Sequence, residues 1–313
     1  MKIHELKIEG FKSIGEIKLV DPNPFSVFVG PNGAGKSNIF EALELISLHS
    51  LMDPDVTIRL FGTFDEIFNQ INESNPIFIY IDLGDKKTNL SISRTNDKKI
   101  EGSNVKEFRN FSRIFIREPK DKVKRNLQDD LSLASDADNL EKVLKRILKD
   151  EKNRVEIIEI LQLLIPGFSN VEIRTEELSG SDNLVVYEDA LKKPMTKRLI
   201  SDGTYNILAL ITAIYQSETP QFLCIEEPEN GLNPKVVKQL VSLFRDKCKE
   251  KGHYIWLNTH SQTLVSELTP DEIILVYKVN GLTQTKQVKG FDLHGMKMDE
   301  ALLTNALGGG IPW

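Results

Sequence analysis

The 313-residue sequence has only two cysteines and lacks a long hydrophobic run. Cys224 and Cys248 are too few for a disulfide framework or a zinc site, and the apolar neighbours of Cys224 indicate a packing role. The longest apolar stretch, around residues 207–215, falls well short of the ~20 residues that a membrane-spanning helix needs. The N-terminus is charged and alternating and lacks the apolar core of a signal peptide. These absences predict a cytoplasmic protein that does not enter a membrane.

The charge balance is acidic rather than basic. The chain carries 40 Lys and Arg against 46 Asp and Glu, a formal net charge of -6, and 40% of its residues are hydrophobic. This composition is typical of an ordinary globular protein and excludes collagen-like and disordered classes. The acidic excess does not favour nucleic-acid binding, although a local basic face stays open. The length predicts about two domains.

Both ends of the chain have the pattern of an α/β protein. Near the N-terminus, the sequence predicts short strands at 3–8 and 14–19, then a buried strand at Phe25–Val29, a glycine-rich loop and a helix over 38–48. From about residue 200 the pattern resumes with a helix to about 216, a strand at 222–225, a helix at 234–249, a strand at 254–258 and a hairpin of 272–279 with 282–288.

The middle of the chain has a different pattern. It predicts antiparallel strands at 77–83, 90–94 and 113–117, amphipathic helices at 138–148 and 155–164, and a hairpin of 171–177 with 183–188. The sequence therefore predicts one α/β core, made of residues 1–50 and 200–313. An inserted lobe of antiparallel strands plus helices, residues 51–199, splits this core.

The glycine-rich loop at residues 30–37 reads GPNGAGKS and matches the phosphate-loop pattern G-x-x-x-x-G-K-[ST] at every fixed position. Glycines let backbone N–H groups converge on phosphates at a helix N-terminus, where the helix dipole favours negative charge. Lys36 is predicted to reach the β- and γ-phosphates of ATP, and Ser37 to hold Mg²⁺. Further nucleotide contacts are predicted from Asn32, Gly33, Ala34, Gly35 and Asn38.

Two acidic residues follow the predicted strand at 222–225, and a histidine follows the strand at 254–258. An apolar strand can place a carboxylate at the carboxyl edge of a parallel sheet, where ligands bind. Glu226 is predicted to coordinate Mg²⁺, and Glu227 to polarise the attacking water as a general base. A solvated acidic turn is the simpler interpretation of the pair alone, and the intact phosphate loop favours catalysis. His260 is a candidate donor to the γ-phosphate, with a structural role as the alternative.

Five stretches in order along the chain resemble one family. They are GFKSI at 10–14, GPNGAGKSN at 30–38, ISDGT at 200–204, CIEEPENGLNP at 224–234 and NTHS at 258–261. Together they resemble the ABC-type ATPases of the SMC and RecF branch, and within it the ATPases related to the overcoming-lysogenization-defect (OLD) nucleases. The resemblance implies an α/β P-loop NTPase of the ABC/SMC-head type with an inserted lobe.

The resemblance also implies roles for individual residues. It makes Lys36 and Ser37 Walker A residues, Glu226 and Glu227 Walker B residues, His260 the switch histidine, and Ser201, Asp202 and Gly203 the signature motif. In this family the signature motif contacts the ATP held by a second subunit, which implies a homodimer or higher oligomer around ATP. On its own, Ser201 predicts a helix N-cap.

Some positions depart from the family pattern or resist assignment. Glu226 stands where aspartate is usual, and Asn233 where this group often has histidine. Gln70 is a weak candidate for the glutamine that links the metal to the lobe, and Lys12 is either near the phosphates or an ordinary surface lysine. The signature-like LSGS at 178–181 is predicted as a hairpin turn, because no helix begins there.

Three functions are compatible with the sequence. The resemblance implies an ATPase that controls a separately encoded effector, a nuclease in bacterial defence against phage, because too little sequence follows residue 288 for a nuclease domain. The alternative is a RecF-like role in DNA repair or tethering, supported by eight basic residues against three acids over 106–125. A solvated charged face is the simpler interpretation of that segment. A transporter ATPase subunit is less favoured, because the ISDGT stretch and the β-rich lobe argue against it.

The C-terminal stretch is the last unusual feature. Residues 306–313 read ALGGGIPW, three glycines followed by an apolar end. Aromatic residues are enriched in interfaces, so Trp313 is a candidate for contact with a partner or with another copy of the chain.

Overall fold

The computed structural model describes residues 2–49, 51–71, 76–93, 100–102, 108, 110–116 and 130–307. Most of the basic segment 106–125 and the C-terminal residues 308–313 lie outside this range, so the predictions made for them are not addressed by the structure. The described chain forms two compact units. The first comprises Met1–Arg113, Pro220–Glu227 and Cys248–Trp313, and the second comprises Ile114–Thr219 and Pro228–Lys247.

Fourteen strands and eight helices follow one another among the described residues. In chain order they are β1 (Glu5–Glu9), β2 (Glu16–Val20), β3 (Phe25–Val29), α1 (Lys36–His49), α2 (Pro54–Arg59), β4 (Ile77–Asp82), β5 (Lys87–Ile92), β6 (Ile100–Gly102), β7 (Phe111–Ile114), α3 (Leu140–Ile147), α4 (Glu151–Leu164), β8 (Phe168–Thr175), β9 (Asp182–Glu188), β10 (Met195–Thr196), α5 (Asp202–Tyr215), β11 (Phe222–Glu226), α6 (Pro234–Lys251), β12 (Tyr254–Thr259), α7 (Gln262–Val265), β13 (Ile273–Val279), β14 (Leu282–Gln287) and α8 (Met298–Leu303). Most predicted elements are present, with ends shifted by a few residues.

The central sheet of the first unit has six strands in the order β14-β13-β3-β12-β11-β7. Strands β11, β12, β3 and β13 are parallel, and β14 returns antiparallel to β13. Every residue of β3, β11 and β12 is buried. Continuous apolar strands of this kind are typical of a parallel sheet covered on both faces. The carboxyl ends of β3, β12 and β11 therefore lie side by side at one edge of the sheet.

A second, antiparallel sheet has the order β2-β1-β4-β5-β6. Its strands alternate between buried and exposed residues, as in β2, so one face packs on the core and the other meets water. The predicted meander of β4 and β5 is present, and β4 pairs with β1, with Ile79 opposite Ile8. This long-range pairing assigns the segment to the first unit, whereas the sequence predicted an inserted lobe over 51–199. Strand β7 joins the central sheet rather than this meander.

The second unit contains helices α3, α4 and α5 and the three-stranded sheet β10-β9-β8. Asp150 caps the N-terminus of α4, because its carboxylate accepts a hydrogen bond from the backbone N–H of Asn153 at 2.9 Å; the helix ends before Pro166. Strands β8 and β9 form the predicted hairpin. Among the described residues, no helix combines the length and apolar character needed to cross a membrane.

Candidate functional site

The phosphate loop links β3 to α1 in the first unit. Lys36 is the first residue of α1, and its side chain is buried. Its Nζ donates hydrogen bonds to the carbonyl oxygens of Gly30 at 2.6 Å and Pro31 at 3.1 Å. The ammonium is thus held inside the loop, next to the first backbone N–H groups of a 14-residue helix. A positive charge at a helix N-terminus suits a bound phosphate.

A chain of hydroxyl groups fastens the loop to two distant segments. Thr283, buried on β14, donates from Oγ1 to the carbonyl oxygen of Ala34 at 2.8 Å. The hydroxyl of Ser13 lies 2.7 Å from the same Oγ1 and accepts a hydrogen bond from Nδ2 of Asn38 at 2.7 Å. Gly35 has a φ of +100°, and a Cβ added there would lie 2.1 Å from Thr283 Oγ1. Glycine is therefore required at this position by both backbone and contact.

Glu226 and Ser37 meet at the carboxyl end of the central sheet. The hydroxyl of Ser37 donates to Oε2 of Glu226 at 2.6 Å, and Nδ2 of Asn258 donates to the same oxygen at 3.3 Å. Asn258 lies opposite Glu226 in the β11–β12 register, which explains their contact. Sequence reasoning assigns no role to Asn258 itself, only to His260 in the same NTHS stretch. An amide on a neighbouring parallel strand is the signal that could have found it.

The donor atoms at this point suit magnesium. Mg²⁺ prefers hard oxygen ligands and is usually held by one or two protein groups, with the remaining positions taken by phosphates and water. Ser37 and Glu226 supply one hydroxyl and one carboxylate. Within the described part of the chain, no three His, Cys, Asp or Glu residues gather as an all-protein metal cage. The pair therefore fits a metal bound together with a nucleotide.

Glu227 and His260 form a second pair beside the first. Oε1 of Glu227 lies 2.8 Å from Nε2 of His260. The backbone N–H of Glu227 donates to the carbonyl oxygen of Asn258 at 3.0 Å and to its Oδ1 at 3.1 Å. Glu227 has a φ of +47°, which is the left-handed region and costs a non-glycine residue about 1 kcal/mol. Backbone strain of this kind concentrates at functional sites, where surrounding contacts enforce it.

The histidine is only half satisfied by this pairing. Nδ1 of His260 is buried and has no hydrogen-bond partner among the described residues. If Nε2 carries the proton and donates to Glu227, then Nδ1 is an acceptor. The imidazole is thus oriented by the carboxylate that the sequence predicts to be the general base. A direct contact of His260 with phosphate stays a prediction.

Arg113 brings a positive charge to the carboxylate of Glu226. Its guanidinium donates to Oε1 of Glu226 through Nε and forms an ion pair with the same oxygen through a terminal nitrogen. It also reaches Glu44 at 3.2 Å and Glu41 at 3.4 Å, both on α1. Although burial lowers it, the pKa of the Arg113 guanidinium is raised above its ordinary value by the carboxylates of Glu226, Glu44 and Glu41. The group is therefore a permanent cation.

Sequence reasoning missed this role of Arg113. It counted the residue as one of eight basic residues in the segment 106–125, whose simpler interpretation was a solvated face. The side chain is 15% exposed, and Arg113 lies on β7 at the edge of the central sheet. Glu41 and Glu44, three residues apart on α1, are the signal that could have found it, because acids at this spacing share one helix face.

The predicted signature motif lies in the second unit. Ser201 precedes α5, and its hydroxyl accepts a hydrogen bond from the backbone N–H of Thr204 at 3.1 Å. Ser201 and Asp202 are both exposed. A Cβ added at Gly203 would lie 2.8 Å from the carbonyl oxygen of Gly231, so a side chain there would push the 229–234 loop away. Residues 201–203 thus open a helix and pack closely against the 229–234 loop within this unit.

Each of the remaining candidates hydrogen-bonds or pairs with another residue of the chain, or lies in a turn. Nε2 of Gln70 donates to the carbonyl oxygens of Asp65 at 2.9 Å and Phe68 at 3.2 Å, so its amide serves a turn. Nζ of Lys12 pairs with Glu41 at 2.6 Å. Oδ1 of Asn233 accepts from the backbone of Lys235 at 2.9 Å, at the start of α6. The signature-like residues 178–181 form the turn between β8 and β9, as predicted.

A family model extends the case beyond individual residues. The family described as "AAA domain, putative AbiEii toxin, Type IV TA system" matches residues 25–266, well over half of the chain. The match begins at β3 and runs past His260, so it includes the phosphate loop, residues 201–203 and the acids Glu226 and Glu227. The chain belongs to this family. Membership of an AAA family implies nucleotide binding.

Two curated relatives show the wider neighbourhood. The chromosome partition protein Smc of Methanococcus voltae is 24% identical over 213 residues, 64% of this chain and 16% of that protein. The energy-coupling factor transporter ATP-binding protein EcfA2 of Lactobacillus johnsonii is 27% identical over 109 residues, 35% of this chain and 36% of that protein. The chain therefore spans well under half the length of either relative.

Solved structures show the same fold. A structure of the Smc head bound to the C-winged helix domain of ScpA superposes with a TM-score of 0.63 at 16% identity, covering 97% of this chain and 100% of that one. A Pyrococcus furiosus Smc head domain with an extended coiled coil, bound to the C-terminal domain of ScpA, gives 0.59 at 16% identity, with 98% and 99% covered. The AAA-family chain is thus a P-loop NTPase of the ABC/SMC-head type, as predicted.

Proposed function

We propose that the protein hydrolyses ATP with Mg²⁺ at the site formed by the phosphate loop and the ends of β11 and β12. The observation that carries the proposal is the pairing of Ser37 with Glu226 at 2.6 Å and of Glu227 with His260 at 2.8 Å. These contacts support the proposal, because they bring a hydroxyl and a carboxylate suited to Mg²⁺ close to a carboxylate paired with a histidine. Phosphoryl transfer needs positioning and charge stabilisation more than covalent chemistry, and this arrangement can provide both.

In the proposed mechanism each group has one task. Lys36 and the loop N–H groups bind and orient the β- and γ-phosphates. Ser37 and Glu226 hold the metal, which when bound neutralises charge on the phosphate oxygens. Glu227 accepts a hydrogen bond from the attacking water and takes its proton as general base. His260 keeps the Glu227 carboxylate in place through Nε2 and is the proposed contact to the γ-phosphate.

We propose further that two copies enclose ATP between the phosphate loop of one and Ser201 of the other. The exposure of Ser201 and Asp202 at the start of α5 supports this arrangement, because a second chain could reach them. The N-terminus of this 14-residue helix favours an anion, so it suits the γ-phosphate. A side chain at Gly203 would clash with the nearby 229–234 loop, which favours glycine there. On the phosphate loop, which would face Ser201 of the other copy, Asn32 and Gly33 are exposed.

The proposed biological role is control of a separately encoded effector, a nuclease in bacterial defence against phage. The family description, which names an AbiEii toxin of a type IV toxin–antitoxin system, supports a role in such defence. The resemblance of the motifs to OLD-related ATPases points in the same direction. Smc heads in solved structures hold ScpA as a partner, which supports partner binding by this fold.

Glu227→Gln tests the enzymatic proposal. The amide keeps the shape of the carboxylate but cannot take a proton, so turnover is expected to fall by ~10²–10⁴-fold. ATP should still bind and should now accumulate in a dimer. Single-turnover hydrolysis and size-exclusion chromatography with light scattering measure the two effects. The exposed acid Asp85, in the same unit but outside the site, provides the control Asp85→Asn, which should behave as wild type.

Normal turnover in Glu227→Gln would show that the general base is misassigned. A variant that neither binds nor hydrolyses ATP would point to lost folding, which circular dichroism would reveal. Failure of the wild-type protein to hydrolyse ATP with Mg²⁺ would overturn the enzymatic proposal itself.

The alternative role in DNA tethering or repair has two supports. The chromosome partition protein Smc is among the relatives, and the segment 106–125 is basic. Arg113, the one basic residue of that segment that is described, has its guanidinium occupied by three carboxylates and so does not form a DNA-binding surface. Charge reversal at Lys120, Lys122, Lys124 and Arg125 tests the rest. If the wild-type protein binds DNA at low salt and this variant does not, the alternative is favoured. If the variant binds DNA as the wild type does, the alternative loses its sequence support.

A further inference from the structure

The guanidinium of Arg113 occupies one oxygen of the carboxylate that the proposed magnesium site uses. Oε1 of Glu226 receives Arg113, while Oε2 receives Ser37 and Asn258. The side chain of Glu226 is 6% exposed, so water supplies little of its solvation. A buried carboxylate needs a compensating partner, and in this structure Arg113 is the cation in contact with it.

Arg113 contacts three carboxylates, and this arrangement affects how easily its guanidinium can leave Glu226. Besides Glu226, it contacts Glu44 at 3.2 Å and Glu41 at 3.4 Å, and the side chain of Glu44 is 5% exposed. A guanidinium that withdrew from Glu226 would therefore keep two charged partners on α1. The planar group has five N–H donors and can bridge several acceptors at once. Exchange of one partner would leave no stranded charge in the site.

We propose that Arg113 is a resident counter-ion that competes with the divalent metal for Glu226. The inference rests on the proposed magnesium site at Ser37 and Glu226. Without the metal, Arg113 neutralises Glu226 at Oε1, while Ser37 donates to Oε2. Metal binding requires Arg113 to shift towards Glu41 and Glu44, so the cost of that shift keeps metal affinity low until a nucleotide adds its phosphates. Arg113 thus couples metal binding to nucleotide binding and acts as a positioning residue.

Manganese titration of the nucleotide-free protein tests this competition, with free Mn²⁺ followed by electron paramagnetic resonance. Arg113→Gln removes the competing charge but can still donate hydrogen bonds. Its Mn²⁺ dissociation constant is expected to be roughly tenfold lower than that of wild type, because a unit charge at contact distance is removed from a poorly solvated site. Its melting temperature should also rise with Mn²⁺ more than the wild-type value does. Equal or weaker Mn²⁺ binding in Arg113→Gln would overturn the proposal.

Two further variants separate competition from a general change of charge. Lys12→Gln removes a cation from Glu41, 2.6 Å away, without touching Glu226, and its gain in Mn²⁺ affinity should be clearly smaller than that of Arg113→Gln. Equal gains would contradict competition at Glu226. Adding Glu226→Gln to Arg113→Gln should remove the gain. A double variant that kept the tight binding would place the metal elsewhere and overturn the proposal.

Arg113→Lys covers the case in which Arg113→Gln fails to fold. Lysine keeps the charge but cannot bridge three carboxylates in a planar fork, so Mn²⁺ binding should be tighter than in wild type by a smaller factor. Binding no tighter than wild type would then decide against the inference. All these titrations omit ATP, so they are independent of turnover. Mg²⁺-dependent ATPase activity together with an unchanged Mn²⁺ affinity in the variants would leave the proposed function intact and reject only the competition.

Discussion

The phosphate-loop half of the candidate site and the signature half are built in different ways. In the first unit, Ser37 pairs with Glu226 across 189 positions of the chain, Lys36 is held by carbonyl oxygens of its own loop, and Lys36 and Glu226 are buried. In the second unit, Ser201 and Asp202 are exposed, and Ser201 makes its hydrogen bonds to Thr204, three residues away. A tertiary network fixes the first half before any ligand arrives. The second half is a local helix start whose exposed residues are accessible to a second chain.

This difference predicts different responses to substitution. In the phosphate-loop half, a change should alter ligand binding within one chain, and often stability as well, because buried polar groups lose their partners. In the signature half, a change should leave the single chain folded and able to bind nucleotide. It should affect only what two chains do together.

The largest expected effect is that of Lys36→Ala on nucleotide binding. The substitution removes the buried ammonium and leaves the carbonyl oxygens of Gly30 and Pro31 without it. Loss of a charged contact to phosphate costs about 3 kcal/mol, which is on the order of a hundredfold in affinity. Equilibrium binding of a fluorescent ATP analogue measures this. The exposed lysine Lys278 in the same unit provides the control Lys278→Ala, and equal losses in both variants would contradict a specific role.

A subunit-mixing experiment tests the other half. Ser201→Arg introduces a bulky charge at the exposed helix start, so ATP turnover should be lost while nucleotide still binds to the separate chain. A mixture of Ser201→Arg with Lys36→Ala should regain up to about a quarter of wild-type turnover, because half of the dimers are mixed and each has one intact site. Steady-state phosphate release measures the recovery. Subunit exchange has to be shown first, by fluorescence transfer between labelled chains.

The signature-like turn at 178–181 provides a matched control for this experiment. Ser179 is also an exposed serine in the second unit, in the turn between β8 and β9, so Ser179→Arg should turn over ATP normally. A loss equal to that of Ser201→Arg would contradict the choice of signature motif. If exchange occurs but no mixing ratio restores activity, the shared-site arrangement is wrong.

The sequence predicted local features of both halves and missed tertiary ones. The N-cap at Ser201, the all-buried strand β11 and the β13–β14 hairpin follow from patterns within a few residues, and each is present. By contrast, Arg113 meets Glu226 across 113 positions and Ser13 meets Thr283 across 270. Local periodicity carries no information on such pairs. For the same reason, the sequence did not predict the pairing of β4 with β1, nor that the first unit extends to Arg113.

The smallest expected effect is that of Thr283→Val, which tests whether the tertiary network supports the phosphate loop. Valine keeps the branched shape of threonine but lacks the hydroxyl that donates to Ala34 at 2.8 Å and lies 2.7 Å from the hydroxyl of Ser13. Loss of a buried hydrogen bond with its partner left unpaired costs ~1–3 kcal/mol. The melting temperature should fall by several degrees, and nucleotide affinity should weaken by a smaller factor than in Lys36→Ala.

Thr283→Ser sharpens the same test, because serine keeps the hydroxyl and loses the methyl group. If the hydroxyl chain positions the loop, then serine should retain nucleotide affinity while valine loses it, even though both variants lose some stability. The opposite ranking would mean that Thr283 acts through packing. Thr204→Ser in the signature half should show no such difference in nucleotide affinity, because Thr204 hydrogen-bonds to Ser201 at the start of the same helix. Nucleotide affinity at the phosphate loop should therefore depend on Thr283, a residue 249 positions away from Ala34 along the chain.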